Sequence, residues 1–128
     1  MVQPTTKELL TYVLMNGRQP LWLIDIDLAG AVLTEVDLSS ANRKGARLDD
    51  AVLTSAVLTK TKLVAAVLRR AKLTNADLTG ADLSKANLEG ADLSGATITN
   101  AVFTEASYSS ATVWPAGFDP VAAGAVKI

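Results

Sequence analysis

Hydrophobic residues recur along this chain with a period of five. Stepping by five from Leu28 to Phe118 visits 19 positions, and Arg43 alone among them is neither apolar nor aromatic. Leu23 extends the phase backwards by one step. Two residues before each of these centres stands a small residue, usually alanine, as in Ala31, Ala46, Ala51, Ala76 and Ala91; Ile26, Val36 and Thr61 are the exceptions. The remaining positions are mostly polar, with valines such as Val52, Val57 and Val67 among them. A period of five excludes the ordinary elements. On an α-helix it advances the apolar position by about 140°, so no face forms. On a flat strand an odd period sends successive centres to opposite sides. A heptad seam needs 3.5 residues per turn. The pattern predicts a chain that bends once per five residues, so that every centre points at a common axis.

A bend of about 90° per unit closes a square in twenty residues, with parallel coils stacked at about 4.8 Å, the usual strand spacing. The described phase then spans nearly five coils. Residues 20 apart should form inward columns: Leu28, Leu48, Leu68, Leu88 and Tyr108; Leu33, Leu53, Leu73, Leu93 and Val113; Leu38, Leu58, Leu78, Ile98 and Phe118; Leu23, Arg43, Leu63, Leu83 and Phe103. The alanines point inward with them, and four large plus four small side chains fill a narrow shaft. Arg43 conflicts with this scheme. A guanidinium in the shaft costs several kcal/mol without a partner, so the chain is expected to bulge there, helped by Gly45, or to turn Arg43 outward.

The units Ala76-Asp77-Leu78-Thr79-Gly80, Ala81-Asp82-Leu83-Ser84-Lys85, Ala86-Asn87-Leu88-Glu89-Gly90 and Ala91-Asp92-Leu93-Ser94-Gly95 resemble the A-(D/N)-L-x-x unit of pentapeptide repeat proteins. The stretch Ala111–Pro120 is similar to the ending of many cyanobacterial members. The resemblance implies an all-β solenoid, a right-handed quadrilateral parallel β-helix of about five coils over residues 22–118. The whole chain, 1–128, is expected to be one domain. Thr5-Thr6-Lys7-Glu8 reads as a capping box, and Leu9, Leu10, Val13 and Leu14 form an apolar stripe. A short helix over 5–16 is therefore expected to cap the first coil through Leu10 and Leu14. At the other end Trp114 and Phe118 are expected to cover the last coil. The Ala/Gly-rich tail, 119–128, is expected to be loosely held.

Chemistry is scarce. The chain has no Cys and no His, which removes a thiolate nucleophile, an imidazole base and Cys/His metal sites. Asp77, Asp82 and Asp92 stand before successive centres on different faces, where Asp side chains bond turn backbone; they are not read as catalytic. Asp25 and Asp27 lack further metal ligands. Thr34, Thr54, Thr74 and Ser94 share a column as a plain hydroxyl ladder. Gly80, Gly90 and Gly95 are turn glycines, not a phosphate loop. No catalytic, cofactor or metal site is expected, and the protein is expected not to be an enzyme.

The net charge is −1, which excludes a strongly basic nucleic-acid binder and a strongly acidic nucleic-acid mimic. The charges are nevertheless segregated. Residues 43–72 carry eight basic side chains against two acidic ones, Asp49 and Asp50, and the flanking stretches are acidic. Arg69 and Arg70 should project near one corner with Arg47 on the same face one coil before, and Asp49, Arg69 and Glu89 should stack with alternating sign. This belt is the candidate interaction surface. The expected role is a non-catalytic structural or protein-interaction module; the alternative, a gyrase-protecting DNA mimic as some family members are, is disfavoured by the short rod and near-neutral charge. The expected partner is another protein, not nucleic acid or membrane, and the expected state is a monomer, with a weak end-to-end dimer as the alternative. No signal peptide or spanning segment is read, so the expected location is cytoplasmic.

Overall fold

The computed structural model describes residues 27–40 and 42–128. The expected capping helix over 5–16, with Leu10 and Leu14, lies outside them. The chain winds into parallel coils whose rungs fall on four faces. The first face runs Asp27, Arg47, Val67, Asn87, Ser107; the second Val32, Val52, Lys72, Asp92, Val113; the third Asp37, Val57, Asp77, Thr97; the fourth Asn42, Lys62, Asp82, Val102. Each residue named pairs in parallel with the next, 20 residues on, until the last rung of the second face. This is the square section that the period of five demands.

The unit Ala76–Gly80 shows why the repeat has its sequence. Each of its five backbone N–H groups has a partner. Ala76 N donates to Leu73 O at 3.0 Å and closes the turn before it. Asp77 N donates to Ala56 O in the previous coil at 2.9 Å, while Leu78 N and Gly80 N donate to Thr97 O and Thr99 O in the next at 2.7 and 2.8 Å. Thr79 N has no ladder partner and donates to Asp77 Oδ1 at 3.0 Å. The Asp/Asn before the centre therefore supplies the acceptor that the ladder leaves out. Asp82, Asn87 and Asp92 do the same for Ser84, Glu89 and Ser94. An unpaired buried amide is costly, so this side chain is a structural part of the coil.

Inside, Leu53, Leu68, Leu73, Leu78, Leu83, Leu88 and Leu93 are fully buried, as are Ala51, Ala56, Ala66, Ala71 and Ala76. Thr61 stands at an alanine position, also fully buried, and its Oγ1 donates to Leu38 O at 2.8 Å. The hydroxyl is thus satisfied without water.

Three features depart from the sequence reading. Arg43 neither bulges nor turns outward. Its N donates to Lys62 O at 2.8 Å, Ala46 N donates to Arg43 O at 3.0 Å, and the residue is 2 % exposed. The regular ladder holds the centre position inward whatever side chain stands there. Gly45 is no special turn either, because the second residue after the centre has positive φ in unit after unit.

Val113 is not a centre. Leu93 N donates to Val113 O, as Leu88 N does to Ser107 O, which makes Val113 a rung residue and Trp114 the centre above Leu93. One extra residue enters between Tyr108 and Trp114. Thr112 absorbs it, its Oγ1 donating to Leu88 O at 2.8 Å and accepting from Ser109 N at 3.0 Å.

The tail is not loose. β1 (Ser107–Tyr108) pairs in parallel with β2 (Val126–Lys127), which starts a further rung on the first face. Glu105 N donates to Gly124 O, Ile128 N donates to Tyr108 O, and Ala125 is buried. The turns also carry a backbone cost. Eleven non-glycine residues, among them Glu35, Ala65, Arg70 and Asn75, have φ of 57–61°.

A left-handed L-residue costs about 1–2 kcal/mol. Ala65, with φ 59°, has no polar side chain to offset it. Ala65→Gly should raise stability by about 0.5–1 kcal/mol, the backbone relief exceeding the extra freedom that glycine gives the unfolded chain. Chemical denaturation measures it; a loss of stability would contradict the backbone assignment.

Candidate interaction surface

The first face carries the charged belt. Arg47 is a rung residue there, and Arg69 and Arg70 follow the Leu68 centre one coil further on. The coil geometry brings all three to one side of the rod, and it brings their acidic neighbours too. Arg70 grips Asp50 with two bonds, Nε to Oδ1 at 2.9 Å and Nη2 to Oδ2 at 3.1 Å. Arg69 Nη2 meets Glu89 Oε2 at 3.4 Å. Arg47 Nη2 lies 3.8 Å from Asp49 Oδ2. The alternating column is thus an ion pair between Arg69 and Glu89, while Asp49 turns to Arg47 on its own unit. Asp49 Oδ1 and Arg69 Nε, both shielded from solvent, find no hydrogen-bond partner among the described residues.

The corner is built for these long side chains. At Gly90, below Arg70, an added Cβ would stand 3.3 Å from Arg70 Cγ, and its φ is +70°. Glycine here both permits the turn and leaves room for the arginine stem. The Arg70 guanidinium holds the Asp50 carboxyl below its ordinary pKa, and Asp50 raises that of Arg70. Arg47, its side chain 57 % exposed and its one contact long, is the guanidinium most open to a new partner.

The end positions are arranged differently. Trp114 stacks edge-on to Phe103 and Tyr108, with ring centroids 5.3 and 5.6 Å away, and lies 5.0 Å from Phe118. Phe118 reaches Phe103 at 5.3 Å. These four rings cover the C-terminal end of the shaft. The sequence reading identified Trp114 and Phe118 but missed Thr112, whose role repeats that of Thr61 and whose signal was a threonine two places before a bulky centre. Asp27, weighed as a metal ligand, accepts at Oδ1 a hydrogen bond from Ala29 N at 3.1 Å. Among the described residues no three acidic side chains gather as a metal site.

Asp50 offers a direct test. Its folded pKa is depressed, so its pairing stabilises the fold above the unfolded carboxylate pKa and is lost as pH falls through the folded value. Carboxyl NMR titration should place Asp50 below a free aspartate, and Arg70→Gln should bring it back up. An unmoved midpoint in the variant would contradict the pair.

Comparison with known proteins agrees with this geometry. The family model for pentapeptide repeats matches eight copies over residues 23–54 and 51–90. The chain is similar to alr5209, a pentapeptide repeat protein from Nostoc PCC 7120, at 31 % identity and a TM-score of 0.80, covering 94 % of this chain and 93 % of that one. It is also similar to AT2G44920, a pentapeptide repeat protein from the Arabidopsis thaliana thylakoid lumen, at 28 % identity and a TM-score of 0.57, covering 69 % of this chain and 65 % of that one. No curated protein matches the sequence. No helix among the described residues is long and apolar enough to cross a membrane. With five-residue units stacked into a four-faced coil and the family model matching from residue 23 to residue 90, the chain belongs to the pentapeptide repeat proteins.

Proposed function

We propose that this protein is a non-catalytic protein-interaction module that binds an acidic protein face through the belt of Arg47, Arg69 and Arg70. The observation that carries the reading is the segregation of chemistry between inside and outside. The shaft is filled by leucine and alanine side chains with almost no exposure, so recognition is left to the outer faces. On the first face six charged side chains, Arg47, Asp49, Asp50, Arg69, Arg70 and Glu89, lie within three successive coils. Solenoids commonly work through such long faces.

The ion pairs shape the mode of binding. Arg47 is open to a carboxylate, while Arg69 and Arg70 must exchange Glu89 and Asp50 for groups of the partner. Exchange of like for like gives specificity and steering more than tight affinity. The binding is therefore weak and falls within a few hundred millimolar salt, because exposed charges are screened over about 8–10 Å. A monomeric rod in a cytoplasmic setting completes the proposal; the lumenal origin of AT2G44920 is a property of that protein.

The test is a pull-down from the source cell at low salt with the double variant Arg69→Glu, Arg70→Glu beside the wild type. Circular dichroism establishes that the variant keeps its fold. Loss of a partner that the wild type retains supports the reading; unchanged recovery overturns it.

A further inference from the structure

Each turn of the rod has one backbone N–H that the ladder does not use, that of the residue after the centre. Asp77, Asp82, Asn87 and Asp92 accept it in their own units. From Arg47 to Lys72 no rung residue is Asp or Asn. The N–H groups of Asp49, Thr54, Thr59, Val64, Arg69 and Thr74 accordingly find no acceptor among the described residues. This run of uncapped turns coincides with the basic belt, so open donors and cations are gathered on the same stretch of rod.

At the Val64 corner both are unengaged. The turn Leu63–Ala66 is closed by Ala66 N donating to Leu63 O at 3.0 Å. In the next coil the equivalent turn presents Ser84 N to Asp82 Oδ1 at 3.0 Å, and in the coil before it presents Lys44 N to Asn42 Oδ1 at 3.2 Å. At Val64 the place of that acceptor is held by Lys62, which pairs with Asn42 on one side and Asp82 on the other. Gly45 N donates to Val64 O and Ala65 N to Ser84 O, both at 2.9 Å, so Lys44 flanks the corner in one coil and Lys85 in the other. Lys44, Lys62 and Lys85 are exposed, and none forms a salt bridge among the described residues. Asp82 is the acid beside Lys62 in the ladder, and its Oδ1 already accepts from Ser84 N and Oγ. Arg47, Arg69 and Arg70, by contrast, are each engaged by an acid. Gly45 and Ala65 add no bulk at the corner.

We propose that the Val64 corner is a carboxylate-binding site for an acidic peptide segment of a partner protein. An Asp or Glu side chain of that segment accepts from Val64 N–H as Asp82 accepts from Ser84 N–H, with the ammonium groups of Lys44, Lys62 and Lys85 around it. The rod's own turns identify the ligand, since an aspartate carboxylate is what this donor takes at Asp37, Asp77, Asp82 and Asp92. A carboxylate bonded to an amide among cations makes a charge-assisted hydrogen bond. No internal pair has to break first, whereas Arg69 and Arg70 must release Glu89 and Asp50. The site stands at a different corner from those arginines and rests on the proposed function only for the class of partner.

The probe is a short blocked peptide of alternating aspartate and glycine, added to the full chain at low salt. By amide-detected NMR, Val64 N–H should move downfield, and further than the already capped amides of Lys44 and Ser84. Val64→Pro deletes the donor and keeps all three lysines; position 64 is the second residue of its turn, where proline is favoured. It should weaken the peptide about tenfold by fluorescence anisotropy, with the circular dichroism of the wild type retained. Lys62→Asp supplies the missing internal acceptor, so Val64 N–H should already lie downfield and no longer respond. The Arg69→Glu, Arg70→Glu variant should keep the response at Val64, which separates this site from the arginine belt. No movement of Val64 N–H in the wild type, wild-type affinity in Val64→Pro, or loss of the response in the arginine variant overturns the assignment. Should Val64→Pro not fold, Lys62→Asp decides, and a Val64 N–H that still moves with peptide there overturns it.

Discussion

The rod depends on one steric constraint: each coil must set its inward side chains directly on those of the coil before. Eight inward positions per twenty residues leave room for alternating large and small groups and little else. A change of one methylene is felt in interiors packed to this density. The constraint fixes the repeat length as well as its composition. A residue gained or lost moves every later side chain out of the shaft unless something absorbs it. The single gained residue, between Tyr108 and Trp114, falls in the last coil, where no complete further coil must register with it. There Thr112 takes over the bonds that the ladder drops, and Gly90 N finds the hydroxyls of Ser109 and Thr112 at 3.2 Å in place of a carbonyl.

Within this frame the outward residues divide into those that serve the backbone and those that do not. The Asp or Asn before a centre is committed to a turn amide, which removes Asp77, Asp82 and Asp92 from any list of free acids. Ser94 lowers the pKa of Asp92 in the same way as Ser39 lowers that of Asp37, through a hydroxyl bond added to the amide bond. These carboxylates are held ionised by the turns they complete. The corner residues have no such duty. They pay in left-handed φ and are free in chemistry, which is why the long cations Lys60, Arg70 and Lys85 stand there.

The fold was legible because a phase held from Leu28 to Tyr108 specifies which residues face inward without any knowledge of contacts. What misled was the pricing of individual side chains. Arg43 was expected to leave the shaft because its charge is costly there, but the backbone rung through Asn42 and Lys62 decides direction before the side chain does. Val113 fits the count of five by its apolar character alone, and the larger Trp114 beside it is the residue that the shaft takes. The tail read as loose from its Ala/Gly content. In fact Gly124-Ala125-Val126 repeats the order of the unit itself: a positive-φ corner at 85°, a small inward residue and a rung. At the belt, spacing was sufficient to place Arg47, Arg69 and Arg70 on one face. It could not show that Arg70 spends both arms of its fork on Asp50, since that depends on rotamers at a corner where the chain's direction changes.

The central claim is that a continuous leucine and alanine shaft holds every coil to the next. Leu78, fully buried in the middle of the third face with coils on both sides, probes it most directly. Truncation to alanine should cost about 2–5 kcal/mol in equilibrium denaturation, as for other fully buried leucines. A Leu78→Ala variant as stable as the wild type would mean that the shaft does not carry the fold, and would contradict the account.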